Sequence, residues 1–497
     1  MSLLGIDLGT TGCKAAAFTR DGRTLAQAYR EYETLHPREG WFELDSRGLW
    51  ERVQEVIREV AAQTAGDPVT ALCTSSFGEA VTPVTRDRRI LGNSILCMDP
   101  RGEAYARELE EAFGVEALYA INPNIPGPQY SLPKMLWLRD HEPELFRQTD
   151  HFLLGGDLVA FLLGCEPVTA NSLANRTLLF DLERNDWSDP LLDWSGIGRA
   201  RLGRVEPGGT VIGTVADPVA GALGLPRGVA VVTGGHDQCC NALGSGCIQP
   251  GTAVCGIGTF ECITPVYRRV EDPLRIFRLG LNIEHHVLPG LFVSFLYNQA
   301  GTLVRWFRNT FAAADAPPEG TDIYTMLDRE MPADPTRLLV LPHFEPVLCP
   351  RHIPDSAGVI LGLKTSTTRG EILKAVMECA TLFFVESIDS LHAMGIDLEE
   401  CIATGGGARS DAWLQIKADI FGIPFVRPRI SEGGLAGAAM LAGLATGVFA
   451  SPEEAVRAFV VTDRTFEPDA GRHATYREKA RRYAQVFPAV HGILKQL

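Results

Sequence analysis

The sequence predicts an α/β protein in which two similar domains enclose a cleft, and three observations point there. At 497 residues the chain exceeds what a single hydrophobic core organises, so two or more domains are expected. Short apolar runs alternate with longer stretches of helical spacing along most of its length. A unit of apolar strand, Gly/Thr turn and second apolar strand stands near residue 5 and returns near residue 256, as a repeated domain would leave it. Two such domains, divided as 1–245 and 246–497, would present both hairpins to one shared cleft and grip a polyphosphate from two sides.

The first hairpin is Gly5-Ile6-Asp7-Leu8-Gly9-Thr10-Thr11-Gly12-Cys13-Lys14, set between Leu3-Leu4 and Ala15-Ala16-Ala17-Phe18. Two apolar runs around such a turn read as paired strands. The glycines let backbone N–H groups come close to an anion, and the threonines and lysine add side-chain donors. An aspartate beside them makes sense if a hydrated divalent cation is also held, and nucleotide phosphate plus magnesium is the economical explanation. Taken alone, an ordinary hairpin explains the same residues. A meander follows, with a strand near 24–32 and a turn at 36–41. Asp45 or Ser46 then caps a helix to about 62, whose Leu49, Val53, Val56, Ile57 and Val60 share one face. Strands are expected near 69–75 and 80–84, and helices over 133–138, 142–146 and 157–163. Between 171 and 204 the pattern weakens and reads as an inserted, substrate-side region. A buried strand at 229–233 ends in Gly234-Gly235-His236-Asp237-Gln238, and a small-residue helix follows over 239–246.

In the second half, Val254-Cys255 leads into Gly256-Ile257-Gly258-Thr259 and a further strand. A single long helix is expected over 369–394, burying Ile372, Leu373, Val376, Met377, Ala380, Phe383 and Phe384. A strand at 401–404 runs into Gly405-Gly406-Gly407-Ala408-Arg409-Ser410, and a helix starts at Ser410 or Asp411. After a strand at 424–426 comes an Ala/Gly-rich helix over 435–445. Strand, triple glycine and helix open a backbone for a nucleotide beside a helix N-terminus. The spacing is not that of a dinucleotide fingerprint, and the chain has no P-loop.

Composition narrows the class further. With 45% hydrophobic and 22% charged residues the chain is an ordinary globular protein. It has no uninterrupted run of about 18 apolar residues and no basic leader, so neither membrane span nor signal peptide is expected. The net charge is −15 and no Lys/Arg block forms a nucleic-acid patch; the basic residues over 472–495 read as a solvated helix face. An acidic protein with an anionic ligand needs local cations or Mg²⁺ at the site. Twelve scattered cysteines without C-x-x-C spacing read as reduced thiols of a cytoplasmic protein. His285 and His286, adjacent on a strand, point to opposite faces and make a poor metal pair.

With the Asp7 hairpin, Gly258-Thr259, the 405–407 loop and Gly-Gly-His-Asp-Gln at 234–238 in place, the chain resembles the FGGY carbohydrate kinases of the actin/hexokinase/Hsp70-like ATPase superfamily, most nearly their xylulokinase-like subgroup. The resemblance extends through 37–50, Met98-Asp99-Pro100-Arg101, Lys134-Met135-Leu136-Trp137, 234–259, 351–355 and 404–442. Its most specific part is Gly405-Gly406-Gly407-Ala408-Arg409-Ser410-Asp411-Ala412-Trp413-Leu414-Gln415 with Ala418-Asp419, close to that family's C-terminal signature.

The resemblance implies two ribonuclease H-like (actin-like ATPase) domains, each a mixed sheet flanked by helices, around an interdomain cleft. The N-terminal one would carry the sugar-binding insertions and the C-terminal one the nucleotide. It implies ATP-dependent phosphorylation of a small sugar or polyol, pentulose-type, at a primary hydroxyl, with ATP and Mg²⁺ required. Asp237 matches the family's general base and also faces the substrate. Asp7 would hold Mg²⁺, while Thr10, Thr11, Lys14, Gly258 and Thr259 would contact phosphates. Gly405, Gly406 and Ala408 would lie against adenine and ribose. Glu79 and Asp99 would contact the sugar. The pocket departs from the family here: the segment is Ser75-Ser76-Phe77-Gly78-Glu79-Ala80, with Glu79 where xylulokinases have a histidine and Gly78 where glycerol kinases have an arginine, and Cys97 replaces the usual tryptophan. A carboxylate accepting hydrogen bonds from adjacent hydroxyls still suits a vicinal diol. The alternative is a non-catalytic or regulatory sugar- and ATP-binding relative. The expected partner is the small molecule, with no nucleic acid and no membrane; a homodimer is left open.

Overall fold

The computed structural model describes residues 2–345, 357–429 and 432–496. The family-like stretch at 351–355 lies outside the described residues. Six strands form the first sheet in the order Val211–Thr214, Ala230–His236, Val69–Ser76, Ser2–Leu8, Gly12–Phe18, Thr24–Glu31. The second sheet has eight strands, and six of them repeat that plan: Thr462–Phe466, Phe425–Pro428, Leu398–Thr404, Gly251–Ile257, Phe260–Tyr267, Leu296–Gln299. The polarities match pair by pair. Ser2–Leu8 is antiparallel to its hairpin partner and parallel to Val69–Ser76. Gly251–Ile257 is antiparallel to its own hairpin partner and parallel to Leu398–Thr404. The next neighbour is parallel in both sheets, and the strand beyond it is antiparallel in both. The recurrence of the Gly/Thr hairpin is therefore one visible part of a repeated sheet.

The first strand is apolar almost throughout because both faces of its sheet are covered. Leu4, Ile6 and Leu8 pack with Leu49, Val53, Val56 and Ile57 of the helix Ser46–Gln63, which Asp45 caps by accepting from the Arg47 N–H at 3.1 Å. Leu3, one step out of phase, faces the opposite layer. That layer joins the two halves. One buried cluster gathers Leu3, Ala71 and Val232 from the first sheet with Val254, Cys262, Ile402 and Val426 from the second. Between them lie the helices Asp237–Gly244 and Gly433–Ala445.

These two helices touch backbone to backbone. A Cβ on Gly244 would stand 1.9 Å from the Gly433 carbonyl oxygen, and one on Gly437 would stand 2.0 Å from that of Cys240. Only glycine permits that approach.

Three expectations need correction. The helix expected over 369–394 is two, Arg369–Leu382 and Val385–His392. The break falls where Phe383 and Phe384 both turn inward, their rings edge to face at 5.5 Å, and the Phe384 N–H bonds to Thr381 in a tightened turn at 3.1 Å. That i→i+3 bond replaces the i→i+4 bond of a regular helix and divides the segment there. Asp237, expected at a strand end, is the first residue of its helix. The basic tail is not wholly solvated: Lys479 is buried against Glu378 and donates to the Thr336 carbonyl at 2.8 Å. No helix among the described residues is long and apolar enough to cross a membrane.

Gly437→Ala should force the central helices apart and lower stability by about 1–3 kcal/mol. A urea unfolding midpoint equal to that of the parent chain would show that the helices have room to spare.

Candidate active site

Asp7 ends the first strand with Lys14 opposite it on one side and Ser75 on the other. The Ser75 hydroxyl donates to its carboxylate at 2.6 Å. The N-terminus of Gly433–Ala445 closes over it so tightly that a Cβ on Gly434 would come within 2.9 Å of Asp7 Oδ1. Burial pushes the Asp7 carboxyl up to about 6; the Ser75 hydrogen bond opposes this and the negative charge of Asp237 adds to it. Lys14 reaches across to Glu432, which precedes that helix, at 2.7 Å. At the hairpin tip Thr10 is half-buried and Thr11 exposed, with the turn closed by Gly9 N–H donating to the Gly12 carbonyl at 2.9 Å.

Asp237 opens the other central helix, with a third (34%) of its side chain exposed. Behind it runs a buried chain of charges. His236 Nε2 lies 3.3 Å from Asp237 Oδ1, and His236 Nδ1 lies 2.8 Å from Glu284 Oε1. The other Glu284 oxygen is 3.4 Å from Arg176 Nη1. Arg176 in turn holds Glu79, with Nε donating at 2.8 Å. Burial raises the Asp237 carboxyl above the usual carboxylate range, and the neighbouring His236 works against that rise. Burial also opposes ionisation of Glu284, but His236 and Arg176 outweigh it and hold that carboxyl below its ordinary value. Against burial, Glu284 and Asp237 raise the imidazole of His236.

The same geometry explains the unusual pocket segment. A Cβ on Gly78 would meet Arg176 Cγ at 2.8 Å and His236 Cδ2 at 3.3 Å, so Arg176 occupies the space beside Glu79 that a side chain at 78 would need. The guanidinium lies 5.1 Å from the Tyr130 ring centre. Glu79 sits at φ +61°, a left-handed conformation costly for such a residue, and its carbonyl accepts a hydrogen bond from Ser131.

Asp99 differs from the expectation of a sugar contact. It is 1% exposed and its carboxylate accepts from Phe42 N–H at 2.7 Å, Arg101 N–H at 2.8 Å and the Arg101 guanidinium at 2.8 Å. Arg101 also pairs with Glu43 and stacks 3.8 Å from the Trp41 ring centre. With its acceptor positions taken, Asp99 fixes a wall and offers nothing to a ligand.

Across the cleft, Gly258, Thr259 and Phe260 form an exposed hairpin tip. Gly405 and Gly407 pack on its base: a Cβ on Gly405 would strike the Ile257 carbonyl oxygen at 2.7 Å, and one on Gly407 the Ile257 side chain at 2.3 Å. Gly405 also has φ +83°. Gly406 is exposed with open space before it, whereas Ala408 is buried. Of the three glycines, two pack against Ile257 and one has open space before it. Ser410 caps the following helix, Asp411–Phe421, and that helix carries Lys417. Lys417 is buried completely against Glu261 of the hairpin, at 2.6 and 2.7 Å, and donates to Thr381 at 3.2 Å. One internal ion pair thus fixes the hairpin to the glycine loop's helix.

Sequence reasoning brought Asp7, Asp237 and Glu79 to one neighbourhood, and missed Arg176, Glu284 and Lys417. Arg176 meets Glu79 from 97 positions away and Glu284 from 108. No local pattern reports such a contact. The adjacency of His236 to Asp237 was visible in the motif, but not that its other nitrogen meets a carboxylate.

Residues 2–244 match the N-terminal domain, and residues 281–446 the C-terminal domain, of the FGGY family of carbohydrate kinases. The chain is 30% identical to a xylulose kinase of Staphylococcus epidermidis, covering 100% of this chain and 97% of that protein. It is 31% identical to a glycerol kinase of Acidovorax ebreus, covering 95% of each. Its fold superposes on the crystal structure of xylulose kinase from Rhodospirillum rubrum with a TM-score of 0.90 and 25% identity, over 99% of this chain and 100% of that one.

Lys417→Met should cost about 3–5 kcal/mol, because it strands a buried Glu261 carboxylate. Adding Glu261→Leu should recover much of the loss; equal instability of the single and double variants would show that the pair carries no specific charge balance.

Proposed function

The chain belongs to the FGGY family of carbohydrate kinases, and we propose that it transfers the γ-phosphoryl group of ATP to a primary hydroxyl of a pentulose-type sugar or related polyol, with Asp237 as general base. The observation that carries the reading is the placement of Asp237. It stands on the cleft floor at the start of a rigid helix, part-exposed, between the Asp7 carboxylate and the Glu79–Arg176 pair. A hydroxyl is a poor nucleophile, and a fixed carboxylate within reach takes its proton as the bond to phosphorus forms. The raised Asp237 carboxyl suits that task better than an ordinary exposed one.

Asp7 is the candidate for Mg²⁺. Among the described residues only Ser75 donates a side-chain hydrogen bond to it, and the Gly434 cradle leaves it beside a helix N-terminus, so its remaining acceptor positions fit a hydrated cation. Bound there, magnesium would neutralise charge on the β- and γ-phosphates. Thr10, Thr11 and Lys14 from one hairpin, and Gly258 and Thr259 from the other, are placed to contact those phosphates. Gly406 offers open backbone to adenine and ribose, while Gly405 and Ala408 hold the loop in place. Glu79, held from behind by Arg176, presents acceptor capacity to neighbouring sugar hydroxyls. Asp99 acts through the Arg101–Trp41 wall.

The halves 1–245 and 246–497 are the bodies that close on substrate, excluding water from the transferred group. The Lys14–Glu432 contact spans them, and phosphate would replace Glu432 as the partner of Lys14. Among the described residues the cysteines are free thiols, all but Cys97 buried, which supports a reducing cytoplasmic setting. The relatives are named for xylulose and glycerol, so pentulose is the first substrate to test.

A coupled ADP-release screen over pentuloses, hexuloses, pentitols, tetritols and glycerol should give the highest kcat/KM with a pentulose. ATP turnover that no sugar stimulates would favour a non-catalytic relative. Asp237→Asn should lower kcat by about 10²–10⁴-fold while calorimetry still detects sugar and ATP. Asp7→Ala should raise the Mg²⁺ concentration needed for half-maximal turnover, and an unchanged requirement would remove Asp7 from that role.

A further inference from the structure

His236 and Glu284, at the centre of the charge chain behind Asp237, have no place in the phosphoryl transfer just described, yet their geometry is unusual. His236 is 5% exposed, and both ring nitrogens face carboxylate oxygens: Nε2 lies 3.3 Å from Asp237 and Nδ1 2.8 Å from Glu284. A neutral imidazole carries one N–H and would turn a lone pair toward one of those carboxylates; the imidazolium satisfies both. We propose that His236, kept as an imidazolium by the buried Glu284, is the positioning residue that aims the Asp237 carboxylate and keeps it ionised inside the cleft. The inference rests on Asp237 being the base.

The surroundings support this role over a packing one. Glu284 is fully buried, and the groups around it all donate: His236, Arg176 at 3.4 Å and the Cys239 thiol at 3.2 Å. The His236 backbone N–H donates to Ser172 at 3.1 Å, and the Phe295 ring packs edge-on to the imidazole at 5.4 Å. The charged or titratable groups facing His236 are therefore Asp237 and Cys239 from the helix that follows it, Glu284 from the strand Glu284–His285, and Arg176 from the end of Asn171–Asn175, with Glu79 behind Arg176. Two acids touch the ring directly, and the nearest cation is held by acids of its own. His236, Cys239 and Glu284 also lie within metal-binding reach of one another. Arg176 against Glu284 and the hydrogen bond already joining His236 to Glu284 favour the protonated ring over a cation there.

A positive charge beside a buried carboxylate lowers its pKa by about 1 unit or more. Removing it should move the acid limb of the activity profile upward. In the full-length protein, His236→Gln should shift the acid limb of kcat/KM for the sugar about one pH unit higher and lower kcat several-fold at neutral pH, with the KM for ATP unchanged. Glu284→Gln should shift the same limb in the same direction by less. It lets the imidazole lose its proton but also removes a weaker negative charge from Asp237. Superimposed acid limbs, whatever the fall in kcat, would overturn the proposal and leave His236 a packing residue. If His236→Gln does not fold, an unmoved limb in Glu284→Gln does the same. An Asp237→Asn variant that keeps turnover would instead retire the base assignment, and that outcome is separate from an inactive Asp237→Asn with an unmoved His236→Gln profile.

Discussion

The contact on which the molecule depends is the backbone-to-backbone crossing of Asp237–Gly244 and Gly433–Ala445. Gly244 meets the Gly433 carbonyl and Gly437 meets that of Cys240, at distances no side chain could tolerate. Both helices lie in the layer between the two sheets, with Asp237 and Gly433 as their first residues. Their close approach sets Asp237 at one N-terminus beside Asp7, against which the other N-terminus is packed through Gly434. A residue with a larger side chain at the crossing would widen the floor by the thickness of a methyl group. In the proposed transfer, groups that would share a hydroxyl proton, a cation and a phosphate tolerate displacements well under that.

Around that floor the structure solves one electrostatic problem twice. Ionised groups removed from water are stable only when paired and fully hydrogen-bonded. Behind Asp237 the solution is a chain, Glu79, Arg176, Glu284, His236 and Asp237, in which Glu284 comes from the second half. In the second half it is a closed pair, Lys417 with Glu261, fully buried, which fixes the second hairpin to the glycine-loop helix. The difference follows from purpose. The chain ends in groups suited to bind and to take a proton, whereas the pair ends in a scaffold.

Much of this was legible in the sequence. The Asp7 hairpin, the capped helix at Ser46–Gln63, the buried strand before His236 and the strand, triple glycine, helix order over 398–421 all follow from local patterns, and the structure has them. Local pattern misled at Phe383 and Phe384, where a tightened turn divides what reads as one helix. It also misled over Asp99, whose carboxylate fits a ligand contact by type but is used up by Arg101 and the Phe42 backbone.

The sequence by itself determined the repeated α/β plan and the kinase family, because each Gly-rich turn, with its neighbouring hydroxyls and carboxylate, is a local pattern between two apolar runs. Only the tertiary structure decided what supports them. Arg176 fills the space at Gly78, Glu284 reaches His236, and Lys417 reaches Glu261, each from about fifty to more than a hundred and fifty residues away. Those partners are chosen by burial, which acts on whatever the fold brings together and leaves no spacing in the sequence to read.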